Sequence, residues 1–293
     1  MKAKKAITIM KNFGFMYLLK RFKEYRLRNK FERMRNDLYE RNKPKEKTII
    51  NVLGNKIIID PAEHGVHRDL WIDNIREPLV TSEFISCLRP DDIVVECGAN
   101  IGYYALLEAQ RVKKVYAVEP YKKTFDQLND NIKLNGYTNI ETECIGFSDK
   151  KGKEKLYINR KSNWNTFREQ DKINEDNYVE CDMNTIDNFF SNKPKKPTVI
   201  RMDVEGYEGN ILKGAKETLK SIRMIFLELH GDMIPSEDVL DIIKLIESCG
   251  LRICFIAKYD RPMICKRLSP AFIDNIKRGD VGNYEMIFRR DKT

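Results

Sequence analysis

Three carboxylates stand within six residues, Asp203, Glu205 and Glu208 of DVEGYE, directly after the apolar run Thr198 to Met202. Acids crowded at one strand end raise one another's pKa, so one of them can take a proton near neutral pH. The other use for Asp203 and Glu208 is to cap the helix GNILKGAKETL that follows. A second apolar run, Met224 to Leu229, ends in His230, one of only three histidines. If the two runs lie in one parallel sheet, His230 emerges on the edge that carries Asp203 and Glu205, suited to accept a proton or hold a substrate.

A third constellation lies upstream in DIVVECGANIG, residues 92 to 102. Ile93, Val94 and Val95 suit a strand buried on both faces. Glu96, Gly98, Asn100 and Gly102 then form a small-residue loop before YYALLEAQ, where apolar residues continue at helical spacing. Such a loop lets backbone approach a ligand, and Asn is the side chain that best tolerates a left-handed conformation. The next buried run, Val115 to Val118, ends in Glu119, a carboxylate able to accept both hydroxyls of a ribose. A dinucleotide fold would show GxGxxG and a pyrophosphate on its helix. Here the spacing is GxxxG and the first strand ends in an acid, which suits a ligand carrying an amine and a sulfonium. S-adenosylmethionine is that ligand.

These residues must be positioned by an α/β sheet, and the rest of the chain supplies one. With 293 residues and 42% hydrophobic content it can bury a sizeable core. The seven cysteines are odd in number, scattered and without a CxxC pair, which fits a reducing cytoplasm and neither disulfide framework nor zinc knuckle. The net charge of +9 is local: residues 1–47 hold 16 Lys/Arg against 5 Asp/Glu, and the remainder 37 against 39.

Three segments are expected: a basic amphipathic helical extension at 1–47, a hairpin and helical cap at 48–90, and the α/β domain at 91–293. Residues 6–19 are apolar but too short to span a bilayer, and no small-residue cleavage site follows them. Phe13, Met16, Tyr17, Phe22, Tyr25, Phe31, Met34 and Leu38 recur roughly at helical spacing among the cations. That pattern suits packing on the domain or a second subunit as a homodimer, attachment of residues 1–40 to the anionic inner face of the cell membrane, or, less well, nucleic acid. TIINVLGNKIIID reads as a hairpin turning at Leu53-Gly54-Asn55. Glu63, His64 and His67 lack a further partner at metal-ligand spacing and read as a loop at the mouth of the site.

Beyond Glu119 the expected order is a helix ending at Asn135-Gly136, a strand Ile140 to Ile145, and the turn Gly146 to Asp149. There Asp149 would receive an adenine amino group or merely form the turn. The polar insertion 159–178 contains Trp164 and Asn165 as contacts to a substrate beneath it, with Glu208 as a further substrate contact. SEDVLDIIKLIESCG reads as a helix capped at Ser236 and stopped by Gly250, and LRICFIA and YEMIFRR as the last two strands.

This order resembles the FkbM-type methyltransferases of the class I, Rossmann-like group, through VVECGANIGYYALLEA, VYAVEPYKKTFDQLNDNIKLNG, FSDKKGKEKLYI, VECDMNTIDNF, VIRMDVEGYEGNILKGA and IFLELHG, over roughly residues 91–231. The resemblance implies a seven-stranded, mostly parallel sheet with an antiparallel last strand, S-adenosylmethionine as donor, and O-methylation of a hydroxyl on a sugar or natural product. Carried over, the cofactor positions are Glu96, Gly98, Asn100, Gly102, Glu119 and Asp149, and the active-site edge is Asp203, Glu205, Glu208 and His230. Residues 1–47 have no counterpart in the family pattern.

The chemistry expected is in-line transfer, with Asp203 or His230 as base and Glu205 orienting it or the acceptor. A divalent metal on Asp203 and Glu205 is the less favoured variant. A surface or lipid-linked glycan is the leading acceptor, RNA and a silent cofactor-binding scaffold the alternatives.

Overall fold

The structure, a computed structural model, describes residues 3–159, 164–169, 177–258, 261–265, 270–279 and 282–290. Two strands, β1 (Thr48–Val52) and β2 (Asn55–Ile59), form the expected antiparallel hairpin, with Leu53 and Gly54 both at positive φ in its turn. The core strands β3 (Ile93–Cys97), β4 (Lys114–Val118) and β5 (Ile140–Glu143) follow. Three strands, β6 (Gly146–Phe147), β7 (Gly152–Tyr157) and β8 (Tyr178–Asn184), make a separate small sheet in the order β6-β8-β7. Returning to the core are β9 (Val199–Met202), β10 (Met224–His230), β11 (Leu251–Lys258), β12 (Arg261–Cys265) and β13 (Asn283–Arg290).

The main sheet runs β12-β11-β13-β10-β9-β3-β4-β5. Strands β5, β4, β3, β9 and β10 pair in parallel, and β13 is antiparallel to both β10 and β11. The fold is therefore the expected Rossmann-like α/β architecture. The sheet has eight strands rather than seven, because β12 folds back antiparallel on β11. The run expected as one strand from Ile140 to Ile145 is also split. Its end leaves the sheet, and β6 joins β8, where a Cβ on Gly146 would meet the Met183 side chain at 2.7 Å. Ser236 opens its helix as first residue, with Pro235 as the cap.

Strand alternation sorts the sheet's side chains into two cores. Ile93, Val95, Cys97, Ile200, Met202, Ile225 and Leu227 face one core, with Ile242, Ile243 and Ile246 of the helix Ser236–Ser248. Val94, Val199, Phe226 and Ile287 face the other, beneath Phe84, Tyr104 and the hairpin. The same alternation turns Glu96, Arg201, Glu228, His230 and Glu285 toward this second side. Five ionisable groups on a buried sheet face are costly unless paired, which marks the face as special.

The basic extension forms the helices Ala3–Phe13 and Phe15–Asn42, separated at Gly14 with φ 86. The long helix is docked on the domain. Arg35 pairs with Asp69 at 2.9 Å and Asp73 at 2.6 Å, Arg68 reaches Glu32 at 2.9 Å and Asn36 at 2.6 Å, and the Tyr39 hydroxyl donates to the Glu63 carbonyl at 3.1 Å. Its apolar residues do not form one stripe: Tyr39 is buried, whereas Phe15, Met16, Leu19, Phe22, Phe31 and Met34 are exposed. No helix among the described residues is long and apolar enough to cross a membrane.

His64 and His67 are not brought together as metal ligands. His64 lies 3.6 Å from Glu40, and His67 Nδ1 accepts the Asp60 N–H at 3.1 Å. Burial pushes the His67 ring down to about 4 from 6.5. Between those values the unfolded chain binds a proton that the folded one refuses, so stability falls as pH drops from 6.5 and levels out below 4. The span corresponds to about 3 kcal/mol. Denaturant titrations at pH 7 and pH 4.5 should differ by less in His67→Asn than in the parent; an identical difference in both would refute the assignment.

Candidate active site

The loop after β3 is shaped by three positive φ angles: Gly98 at 80, Asn100 at 51 and Gly102 at 94. A Cβ on Gly98 would overlap the backbone oxygen of Asp203, and one on Gly102 would meet Leu128 Cδ1 at 2.7 Å. The loop therefore lies flat against the end of β9. Glu119 closes it from β4, its two oxygens accepting the N–H groups of Asn100 and Tyr121, each at 2.9 Å. Burial lifts the Glu119 carboxyl to about 7. Each oxygen keeps a second lone pair for a ligand.

A groove runs along this edge between Gly98, Glu119, Ile145, Phe147, Phe167 and Glu205. It encloses about 60 Å³, with Phe167 beside Gly146, so a nucleoside would need Phe167 to move aside. Past Glu205 lies a second cavity of about 550 Å³, lined by Trp164, Thr166, Arg76, Glu228, His230 and the helix residues Arg28, Asn29, Glu32 and Asn36. Glu205 borders both spaces.

Four acids surround His230. Its Nδ1 is 2.7 Å from Glu208 Oε1, and its Nε2 is 3.3 Å from Glu205, 3.4 Å from Glu228 and 3.9 Å from Asp203. Burial alone would lower the ring's pKa, but the carboxylates of Glu205 and Glu208 outweigh it and hold the ring well above its ordinary value. Burial raises Asp203 to about 6, with Glu228 adding to it, and raises Glu205 to about 8 against the pull of His230. Arg76 reaches across the cluster, 3.0 Å from Glu77, 3.5 Å from Asp203 and 4.0 Å from Glu228. Glu205 and Glu77 both hold left-handed backbone, φ 51 and 45, a conformation that non-glycine residues keep only where surroundings enforce it. Thr166 enforces the first by donating its hydroxyl to the Glu205 carbonyl at 2.9 Å.

Asp203, Glu205 and His230 thus converge as the sequence suggests, and Gly98, Asn100 and Glu119 line one groove. Several expectations need correction. Glu96 faces away from the groove, 1% exposed, paired with Arg201 across β3 and β9 and beside Glu108, whose carboxyl burial raises well above the usual range. Gly102 acts through backbone geometry behind the groove. Asp149 is exposed and receives the Ser148 hydroxyl at 3.2 Å, because the chain turns outward after Phe147. Glu208 is fully buried behind His230 and cannot touch an acceptor. Asn165 borders the first groove, its Oδ1 accepting the Asn159 N–H at 2.9 Å, while Trp164 borders the second cavity. Residues 160–163 and 170–176 of the insertion lie outside the described residues.

Sequence reasoning missed Arg76, Glu77, Glu228 and Glu285. For Glu228 a signal existed: it stands two residues before His230 on one strand, hence on the same face. Arg76 and Glu77 carried none, since nothing local says that residues 74–77 cross the sheet edge.

The family model described as Methyltransferase FkbM domain matches residues 96–253, more than half of the chain. The chain belongs to the FkbM methyltransferase family. Among curated relatives of this FkbM protein, the hexuronic acid methyltransferase AglP of Haloferax volcanii is 28% identical over 162 residues, 55% of this chain and 64% of AglP. The 2-O-methyltransferase NoeI of Sinorhizobium fredii is 22% identical over 204 residues, 60% of this chain and 83% of NoeI. The chain thus spans less than two thirds of AglP's length. A crystal structure of an FkbM methyltransferase from Methylobacillus flagellatus is similar at 18% identity, covering 70% of this chain and 45% of that one with a TM-score of 0.44.

Proposed function

We propose that this FkbM protein transfers the methyl group of S-adenosylmethionine to a hydroxyl of a sugar acceptor. The observation that carries the reading is Glu205, which borders the nucleoside-like groove on one side and the large polar cavity on the other. The groove residues fit the donor: Gly98 leaves a cradle that a side chain would fill, Glu119 offers buried oxygens for ribose hydroxyls, and Ile145 and Phe147 give an apolar wall for a base. Bound there, the donor would supply an electrophilic methyl on a sulfonium.

The chain's own work is then positioning and proton removal. Glu205 takes the proton from the acceptor hydroxyl, for which its contact with both spaces qualifies it. The sequence-based choice was Asp203 or His230; Asp203 does not border the large cavity, and the His230 ring is held charged by its carboxylates and sits 2% exposed. Arg76 and His230 hold the acids in place, and Thr166 fixes the backbone of Glu205.

The acceptor cavity carries Glu32, Asp69, Glu77, Glu205, Glu228 and Asp232 against Arg28, Arg68, Arg76 and the charged His230. An acidic lining disfavours RNA phosphates and suits a hydroxyl-rich acceptor, with Trp164, 47% exposed at the rim, available to stack on a sugar face. AglP is named for a hexuronic acid and NoeI for 2-O-methylation, the first supporting a sugar acceptor and the second transfer to oxygen. Radiolabelled donor incubated with the protein and fractionated cell extract should label lipid-linked or free glycan. Label confined to RNA would overturn the proposal.

The long helix favours an acceptor held at a membrane surface. Its cavity-facing side bears Arg28, Glu32 and Asn36, while its exposed side interleaves Phe15, Leu19 and Phe22 with Lys20, Lys23 and Arg26. Such a face suits anionic lipid. The protein should cosediment with phosphatidylglycerol vesicles and not with phosphatidylcholine, and the pair Phe15→Ser, Phe22→Ser should weaken this at least about tenfold. Equal recovery from both vesicle types would count against it.

A further inference from the structure

We propose that Asp203, Glu228 and His230 bind one divalent metal ion at the edge of the acceptor cavity. One oxygen from each carboxylate and a ring nitrogen of His230 lie within 4.8 Å of one another. Adjacent ligands of an octahedral ion with bonds of about 2.1 Å are about 3 Å apart, so shifts of about 1 Å or less complete the set. Glu205 Oε2, 3.3 Å from His230 Nε2, stands ready as a further neighbour.

The histidine is oriented as a metal ligand would be. Glu208, buried and also accepting the Gly206 N–H at 3.0 Å, engages Nδ1 and leaves Nε2 pointing into the acids, where the ion would take the place of the Nε2 proton and release it to solvent. A carboxylate on the distal nitrogen is what fixes tautomer and ring angle at such sites.

In and beside that cluster four buried carboxylate oxygens have no hydrogen-bond partner: Glu208 Oε2, Glu228 Oε2 and both oxygens of Glu285. Glu285 is 3% exposed and sits directly opposite Glu228 across β10 and β13. With Glu77 these two form a second set whose oxygens lie within 4.8 Å of one another. Buried carboxylates without donors cost several kcal/mol, far more than a fold leaves unanswered. Six acids, Glu77, Asp203, Glu205, Glu208, Glu228 and Glu285, share this space with Arg76 and His230 as the near cations, while Arg201 is engaged by Glu96. A dication offsets that excess. Two carboxylates with one imidazole suit Mn²⁺ better than the oxygen-preferring Mg²⁺. Facing the cavity, the ion would ligate the acceptor hydroxyl and acidify it for Glu205; this use, but not the site itself, rests on the methyl-transfer reading.

The test is titration of Mn²⁺ into the chelator-treated full chain, followed by loss of the free-ion electron paramagnetic resonance signal, with S-adenosylhomocysteine binding measured separately by calorimetry. One Mn²⁺ per chain should bind. Glu228→Gln, which borders only the second cavity, should weaken Mn²⁺ at least about tenfold while still binding S-adenosylhomocysteine, which shows it folded. Parent protein that binds S-adenosylhomocysteine but no Mn²⁺ at about 1 mM, or Glu228→Gln that binds Mn²⁺ as tightly as the parent, overturns the site. Mn²⁺ binding without transfer to any acceptor would leave the site standing and remove the proposed function.

Discussion

Glu205→Gln is expected to lower turnover by about 10²–10⁴-fold, the range that a positioned base contributes. Glutamine keeps the length of the side chain and tolerates the same left-handed backbone, so the Thr166 contact to the residue 205 carbonyl survives. What is lost is the oxygen able to carry a proton away. The affinity for S-adenosylhomocysteine should then change by no more than about threefold, separating a chemical defect from a binding one. Steady-state turnover alongside calorimetry checks both. Near-parental turnover in Glu205→Gln, combined with collapse in Asp203→Asn, would return the role of base to Asp203.

Gly98→Ala should disable the groove with a single methyl. Gly98 holds φ 80, and its Cβ would overlap a backbone oxygen of Asp203, which cannot swing aside as a side chain can. Relief requires the loop to part from β9, widening the contact that aligns groove and acids. We expect S-adenosylhomocysteine affinity to fall at least about 100-fold and the protein to lose about 1–3 kcal/mol of stability. Gly102→Ala is the informative comparison. It carries a similar backbone penalty, φ 94, but its Cβ meets only side-chain atoms, Leu128 at 2.7 Å and Leu106 at 3.9 Å. Its affinity loss should stay within about tenfold. If the two variants behave alike, the close approach of loop and β9 is not what shapes the groove.

The parts of this molecule legible in sequence are those where one local rule decides. Ile93 to Val95, all β-branched, and Val115 to Val118, a short apolar run, favour buried strands, and Gly136, with φ 69, ends the helix Lys122–Asn135. Asp203 and His230 could be matched because both stand at the carboxyl ends of parallel strands. Glu96, on a strand, and Glu208, opening the helix Glu208–Lys213, were misplaced for one shared reason: the local sequence does not name their partners, Arg201 and His230, which come from 105 and 22 residues away. Arg76 was invisible for the opposite reason. Its segment has no period, and only the folded edge tells which acids it joins.

The walls of the large cavity draw on stretches far apart in the chain. Thr166, Glu205, Glu228 and His230 belong to the matched family region at 96–253, Arg68, Asp69, Arg76 and Glu77 to the segment before it, and Arg28, Asn29, Glu32 and Asn36 to a helix farther upstream still. Donor chemistry and acceptor choice can therefore drift independently in evolution, since changing four residues on one helix face leaves every atom of the groove where it was. Relatives with the same groove and a different upstream helix would then be enzymes of one reaction with different tastes, and exchanging that helix is the direct route to retargeting the protein.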